Sequence, residues 1–171
     1  MRFLPPAMRE PISLGYLLAR LTDTLADAPD LPDGERLPLL DDFRLVVEGR
    51  KPAISGNVRQ LGERLTHPGE QRLVRSASEL LQWYGEIDES LRTHIGEVIL
   101  TILQGQNWDI RAFHDGERAA CASRDDLLRY TYQVAGSVGE FWTKIGFATL
   151  GKRFADPDKI APMLASGRKL G

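Results

Sequence analysis

The stretch Leu14-Gly15-Tyr16-Leu17-Leu18-Ala19-Arg20-Leu21-Thr22-Asp23-Thr24-Leu25-Ala26-Asp27 decides the fold class. With Ile12 just upstream, its leucines recur at three- and four-residue steps, the spacing of one buried face of an α-helix. A second set, Tyr16, Arg20, Asp23, Thr24 and Asp27, recurs at the same steps and shares another face. A helix this apolar is mostly buried, and inward carboxylates on it need a partner, because desolvating unpaired charge is expensive. Arg20 can neutralise only one of the two aspartates. A divalent cation accounts for both. Carboxylates one turn apart project side by side, oxygen-only ligands favour a hard ion over zinc or copper, and Mg²⁺ completes its shell with water or phosphate oxygens. On that reading Asp23 and Asp27 are metal ligands and Arg20 meets an oxygen of a phosphorylated ligand. The competing reading is an ordinary surface ion pair between Arg20 and Asp23, with Asp27 solvated at the helix end.

Working outward, the helical period holds almost throughout, and no convincing strand alternation occurs. The spacing predicts a first helix over residues 11–27, with Pro11 at its first position, and a break where Pro29 and Pro32 cannot continue it. Further helices are expected over 36–47 and 54–65. Thr66-His67-Pro68-Gly69 reads as a turn, followed by a long helical region over 70–103 with a break near Glu89-Ser90. A polar, turn-rich segment follows Asp109 and runs through Arg118. Ser123-Arg124-Asp125-Asp126 resembles a capping box opening a helix that carries Leu127, Leu128, Tyr130, Val134, Val138, Phe141 and Ile145. Asp156-Pro157 resembles an N-cap and a first-position proline of a short last helix ending near Ser166-Gly167. The fold class expected is all-α, a helix bundle, as a single domain over 1–171.

Composition narrows the function classes. With 171 residues, 42% of them hydrophobic, the chain can build a real core. A net charge of −2 offers no basic excess for nucleic acid. One cysteine, Cys121, excludes an internal disulfide and, beside three scattered histidines, argues against a zinc site. The apolar run from Val98 to Leu103 is too short to span a membrane. Pro5, Pro6 and Glu10 interrupt the stretch a signal peptide needs. A cytoplasmic protein with room for peripheral membrane contact is expected. His67, His94, His114, Asp41-Asp42 and Asp125-Asp126 read as solvated groups or helix-start charges, and Trp83, Trp108 and Trp142 as core or interface aromatics.

The second informative stretch is Tyr130-Thr131-Tyr132-Gln133-Val134-Ala135-Gly136-Ser137-Val138-Gly139. Two interior glycines each cost a helix about 1 kcal/mol relative to alanine. The small residues Ala135, Gly136, Ser137 and Gly139 let another backbone or a long ligand approach closely. Close helix–helix packing explains the pattern as well as a ligand groove does.

Together the two stretches resemble the squalene/phytoene synthase family, the head-to-head prenyltransferases of the isoprenoid synthase fold. Residues 14–27 look like that family's first aspartate-rich helix, residues 130–139 like its tyrosine and V-A-G-x-V-G signature, and Leu4-Pro5-Pro6-Ala7-Met8-Arg9 like its lead-in. The resemblance implies that Asp23 and Asp27 bind Mg²⁺ and that Tyr16 and Arg20 contact a substrate diphosphate. It further implies that Tyr130 handles a proton and that Val134, Ala135 and Gly139 line the prenyl-chain channel. The substrates implied are two prenyl diphosphates (farnesyl or geranylgeranyl) joined to squalene or phytoene. NADPH is implied only for a squalene-forming enzyme, toward which Asp23-Thr24, in place of the Asp-Asp usual in phytoene-type enzymes, leans. Gln104, Asn107 and Asp109 fall near a family stretch that faces the cavity.

The family's second aspartate-rich helix, L-Q-x-x-N-x-x-R-D-x-x-x-D, does not occur in the sequence, and Gly167-Arg168-Lys169-Leu170-Gly171 resembles its lead-in. The expectation is therefore part of a family member, or a split subunit needing a complementary polypeptide with that motif, and inactive or very weak alone. The alternative is a non-catalytic helical interaction subunit that kept the fold and lost the chemistry.

Overall fold

The computed structural model describes residues 3–28, 31–113, 121 and 123–170, with no strand among them. The helices are α1 (Pro6–Ala26), α2 (Asp33–Val47), α3 (Asn57–Arg64), α4 (Pro68–Arg75), α5 (Ala77–Glu86), α6 (Glu89–Ala112), α7 (Arg124–Thr131), α8 (Ser137–Leu150) and α9 (Ile160–Leu170). A π-helical turn, Tyr132–Gly136, joins α7 to α8. Two 3₁₀ turns, Gly151–Arg153 and Pro157–Lys159, lead into α9.

α1 lies at the centre, packed against α2, α4, α5, α6 and α8. Ile12, Leu14, Leu18, Leu21 and Leu25 are buried almost completely, as the leucine spacing requires. α6 is the second core helix and contributes Ile95, Ile99 and Leu103. Each apolar stripe thus finds a neighbouring stripe, which is what stabilises helices too short to persist alone.

Several boundaries differ from those the spacing predicts. α1 starts at Pro6, which takes the first helical position, while Pro11 sits buried inside the helix. As the sixth residue of α1 it removes the bond its N–H would give to the Ala7 carbonyl, and burial of the helix on both sides of it carries the chain past that gap. The long region over 70–103 breaks at residues 87–88, beside the expected Glu89-Ser90, where Asp88 accepts the Ser90 amide at 2.9 Å; a further turn at Ser76, which the spacing did not predict, makes it three helices. α6 continues past Asp109 to Ala112. Of the polar stretch through Arg118, the part from His114 on, like Pro29, lies outside the described residues.

Asp41-Asp42 is not at a helix start but within α2. Asp42 accepts from Lys51 Nζ and, at 2.6 Å, from the Ser55 amide, tying residues 51–55 to the helix. His67 is exposed as expected, and its Nδ1 also caps α4 by accepting from the Glu70 amide. Ser123 Oγ accepts from the Asp126 amide at 3.1 Å, the cap its motif predicts. The helix it opens is not continuous, however: the glycine-bearing segment takes the wider π turn before α8.

α9 runs on to Leu170, with Gly167 buried inside it rather than ending it. Gly167 faces Gly139 of α8, and a Cβ built on Gly139 would stand 1.9 Å from the Gly167 carbonyl oxygen. The two helices therefore cross backbone to backbone. Beside the crossing, the buried Glu140 accepts from Tyr132 Oη at 3.0 Å and from Arg168 Nε at 2.6 Å, while Arg168 lies over the Tyr132 ring.

Candidate functional site

The fold places an apolar channel of about 210 Å³ between α1, α6 and α8. Ile12, Gly15 and Ala19 of α1, Val98 and Ile102 of α6, and Val134, Val138, Phe141 and Trp142 form its walls. Tyr16, 58% exposed, and Asp23 also line it. The channel is thus oily along its length and acidic where it meets Asp23. A smaller hollow of about 60 Å³ lies beside that acidic end, lined by Arg20, Asp23, Thr24, Asp27 and Glu70 among others. A larger cleft, about 580 Å³ between α2 and α3, holds none of the residues singled out by sequence motif as ligands. The channel is the better candidate because it joins an apolar bore to the carboxylate pair.

Asp23 is half-buried and Asp27 is exposed. Both carboxyls are pushed above their ordinary value. For Asp23 the main cause is burial. The hydrogen bond from Gln106 pulls the other way, Asp27 adds to the rise, and Arg20 opposes it. For Asp27 the protein wall on its flank matters most, then the negative charge of Asp109, opposed by Arg20 and Arg36 and reinforced by Glu70. Carboxylates crowded together and partly dehydrated gain most from an added cation, which reverses both effects.

The donor set tests the fit of Mg²⁺. The oxygens come from Asp23 in the last turn of α1 and from Asp27, which caps its C-terminus; oxygen donors of this kind suit a hard cation. Among the described residues no group of three His, Cys, Asp or Glu side chains converges as a metal cage. Asp23 and Asp27 can therefore supply two protein ligands of a shell completed by water or other oxygen ligands, and to that extent they fit.

The other sequence-selected residues fall into two groups. Val134 lies on the channel wall and Tyr16 at its rim. Tyr130 is off the wall: its ring packs on Trp108 at 5.1 Å between centroids. Burial first, then Asp109, Asp27 and Cys121, hold its phenol above the ordinary value, so it stays protonated as a donor. Arg20 is exposed and pairs with Glu70 at 2.9 Å, so any anion it meets has to share or displace that carboxylate. Thr24, placed with the polar face by spacing, is buried, and its hydroxyl donates to the Arg20 carbonyl. Ala135 is half-buried in the π turn and not on the channel wall. Gly139 likewise leaves the channel and faces Gly167, because its missing side chain serves the crossing of α8 and α9.

Two neighbours on α6 escaped the sequence reading. Gly105 lets the π turn come close, since a Cβ there would stand 2.8 Å from Val134 Cγ1. Gln106, only 8% exposed, donates from Nε2 to Asp23 Oδ1 at 2.8 Å and to Thr22 Oγ1 at 3.2 Å. One helical step of α6 therefore joins both motifs. The available signal was a glutamine on the apolar 99–103–106–110 stripe of α6, where an unpartnered amide is costly.

Compared with known proteins, the sequence model of the squalene/phytoene synthase family matches residues 1–169. The squalene synthase of Schizosaccharomyces pombe is 25% identical over 170 residues, covering 98% of this chain and 34% of that protein. Squalene synthase ERG9 of Candida albicans is 22% identical over 142 residues, covering 83% of this chain and 30% of that protein. The chain thus spans about a third of the length of these relatives. No helix among the described residues is long and apolar enough to cross a membrane. With the match running through both motifs that meet at the channel, the chain belongs to the squalene/phytoene synthase family.

Proposed function

We propose that this chain carries the first half-site of a head-to-head prenyltransferase, a transferase that condenses two prenyl diphosphates, farnesyl or geranylgeranyl, to squalene or phytoene. The observation that carries the reading is the junction at Asp23, where an apolar bore meets a carboxylate pair. A prenyl diphosphate has the same polarity: a hydrocarbon chain for the bore and a diphosphate whose charge a cation held by Asp23 and Asp27 would offset at the acidic end.

Asp23 and Asp27 hold Mg²⁺ in this reading. When bound, Mg²⁺ neutralises the charge that develops on the departing diphosphate. Arg20, released from Glu70, and Tyr16 meet diphosphate oxygens. Ile102, Val134, Val138 and Phe141 exclude water from the allylic cation left behind. Tyr130, kept protonated, donates a hydrogen bond or a proton near the departing oxygens. NADPH is required only if the product is squalene.

One half-site organises only part of the charge on a leaving diphosphate, so the chain alone is expected to turn over little or nothing. A complementary polypeptide bearing the second aspartate-rich motif is the proposed partner. The test is to incubate the chain with such a polypeptide, farnesyl diphosphate and Mg²⁺, with and without NADPH. A C30 hydrocarbon, or its cyclopropyl diphosphate precursor, is expected, and is lost with Asp23→Asn. Full turnover by Asp23→Asn, or by the chain without the partner, would overturn the assignment. The pairing of Arg20 with Glu70 favours the second reading, a non-catalytic helical subunit. That reading predicts no Mg²⁺-dependent binding of a farnesyl thiodiphosphate analogue.

A further inference from the structure

We propose that Gln106 is a positioning residue for Asp23, holding one carboxylate oxygen so that the other faces the cation; this rests on the proposed function. The orientation of the amide follows from its neighbours. Asp23 Oδ1 can only accept. Thr22 Oγ1 gives its own proton to the Ala19 carbonyl at 2.8 Å, so toward Gln106 it too accepts. Both contacts, at 2.8 and 3.2 Å, therefore require the amide nitrogen. The choice leaves Oε1 buried with no hydrogen-bond partner among the described residues.

An unpartnered buried carbonyl is unfavourable, and a residue chosen only for packing would not carry one. Methionine would fill the same volume without it. What glutamine adds is a neutral donor fixed in direction. A lysine or arginine in its place would neutralise Asp23 and compete with the cation, and a glutamate would repel it. An amide orients the carboxylate and leaves its charge for the metal, as hydrogen-bonded neighbours of metal ligands commonly do. α6 supplies the rigidity, since Gly105 beside it is wedged against Val134.

The test compares wild type, Gln106→Met and Asp23→Asn. Mn²⁺ binding is followed by electron paramagnetic resonance with inorganic pyrophosphate present, and thermal unfolding is followed without metal. Gln106→Met, which loses the donor to Asp23 and Thr22 but also the orphan carbonyl, is expected to melt close to the wild-type midpoint while binding Mn²⁺ about 10- to 100-fold more weakly. A merely structural glutamine predicts the reverse, a lowered midpoint with affinity kept. As a check independent of any variant's folding, the Gln106 side-chain amide signals of isotope-labelled wild type are expected to shift on adding Mg²⁺. Mn²⁺ affinity of Gln106→Met within twofold of wild type, or amide signals unmoved while Mg²⁺ binds, overturns the role of Gln106 alone. Failure of the wild-type chain to bind Mn²⁺ overturns the metal half-site, and this inference with it.

Discussion

Replacing Gly139 by alanine adds one methyl group where two helices meet backbone to backbone. The new Cβ would lie 1.9 Å from the Gly167 carbonyl oxygen and 2.4 Å from its carbon. Ordinary contact begins near 3.4 Å, so α8 and α9 have to separate by about 1.5 Å, the difference between 3.4 and 1.9. No flexible side chain can absorb that shift, because the opposing atoms are backbone. Arg168, one residue beyond Gly167, would be drawn away from the buried Glu140 it meets at 2.5 Å. Overpacking of this kind costs about 1–3 kcal/mol, and a backbone clash belongs in the upper part of that range. The better helix propensity of alanine returns about 1 kcal/mol. A net loss of about 1–2 kcal/mol follows, lowering the melting midpoint by roughly 2–8 °C for a chain of this size. Gly85→Ala is the control: it lies in α5 with nothing within 4 Å of a new Cβ, and is expected to gain about 0.5–1 kcal/mol. Thermal and urea unfolding of both variants, followed by circular dichroism, decide the matter. Gly139→Ala melting at or above wild type, with Gly85→Ala behaving as expected, would refute the crossing as the reason for the glycine.

Three further outcomes follow from the electrostatics and the channel. Asp23 holds its proton more tightly in the folded chain than at the ordinary 3.8, so stability falls as pH rises from 3.8 through the raised folded value, and the deficit persists at neutral pH. Asp23→Asn is therefore expected to be more stable than wild type at pH 7 without divalent cation, the gap closing in acid; urea unfolding showing equal stability at pH 7 sinks this. Asp42 has the opposite sign: burial raises its carboxyl, but Lys51 and Ser55 hold it lower overall, so its contribution is present above 3.8 and lost as pH drops through the folded value. Asp42→Ala is expected to be less stable at pH 7 and to be cut faster by protease within residues 51–55, the stability difference narrowing on acidification. Val134→Trp puts an indole into a bore of about 210 Å³, so binding of a farnesyl thiodiphosphate analogue should drop at least about tenfold, while Gly85→Ala, which lies off the channel wall, should retain that binding.

Asp23 links stability and proposed activity. Without a cation the partial burial of its carboxylate works against folding, and the substitution expected to strengthen the apo chain removes the acidic end of the channel. That conflict is expected where local stability yields to chemistry.

What the sequence determined by itself is everything carried by local period and local caps. The leucines of α1, the Ser123 cap and the turn before Pro68 depend on atoms within a few residues of each other, so spacing alone located them. The acidic face was legible for the same reason: Asp23 and Asp27 are one turn apart in any α-helix. Pro11 misled because a proline ordinarily marks a first helical position, a place that Pro6 takes here while tertiary packing keeps Pro11 inside the helix. The tertiary structure alone decided who meets whom. Gln106 reaches Asp23 across 83 residues of chain, Gly139 serves α9 rather than the channel, and Arg20 finds Glu70 across 50 residues. Those pairings depend on the angle and depth at which helices cross. That is set by the summed packing of α1, α4, α6, α8 and α9 and not by any periodicity within one of them.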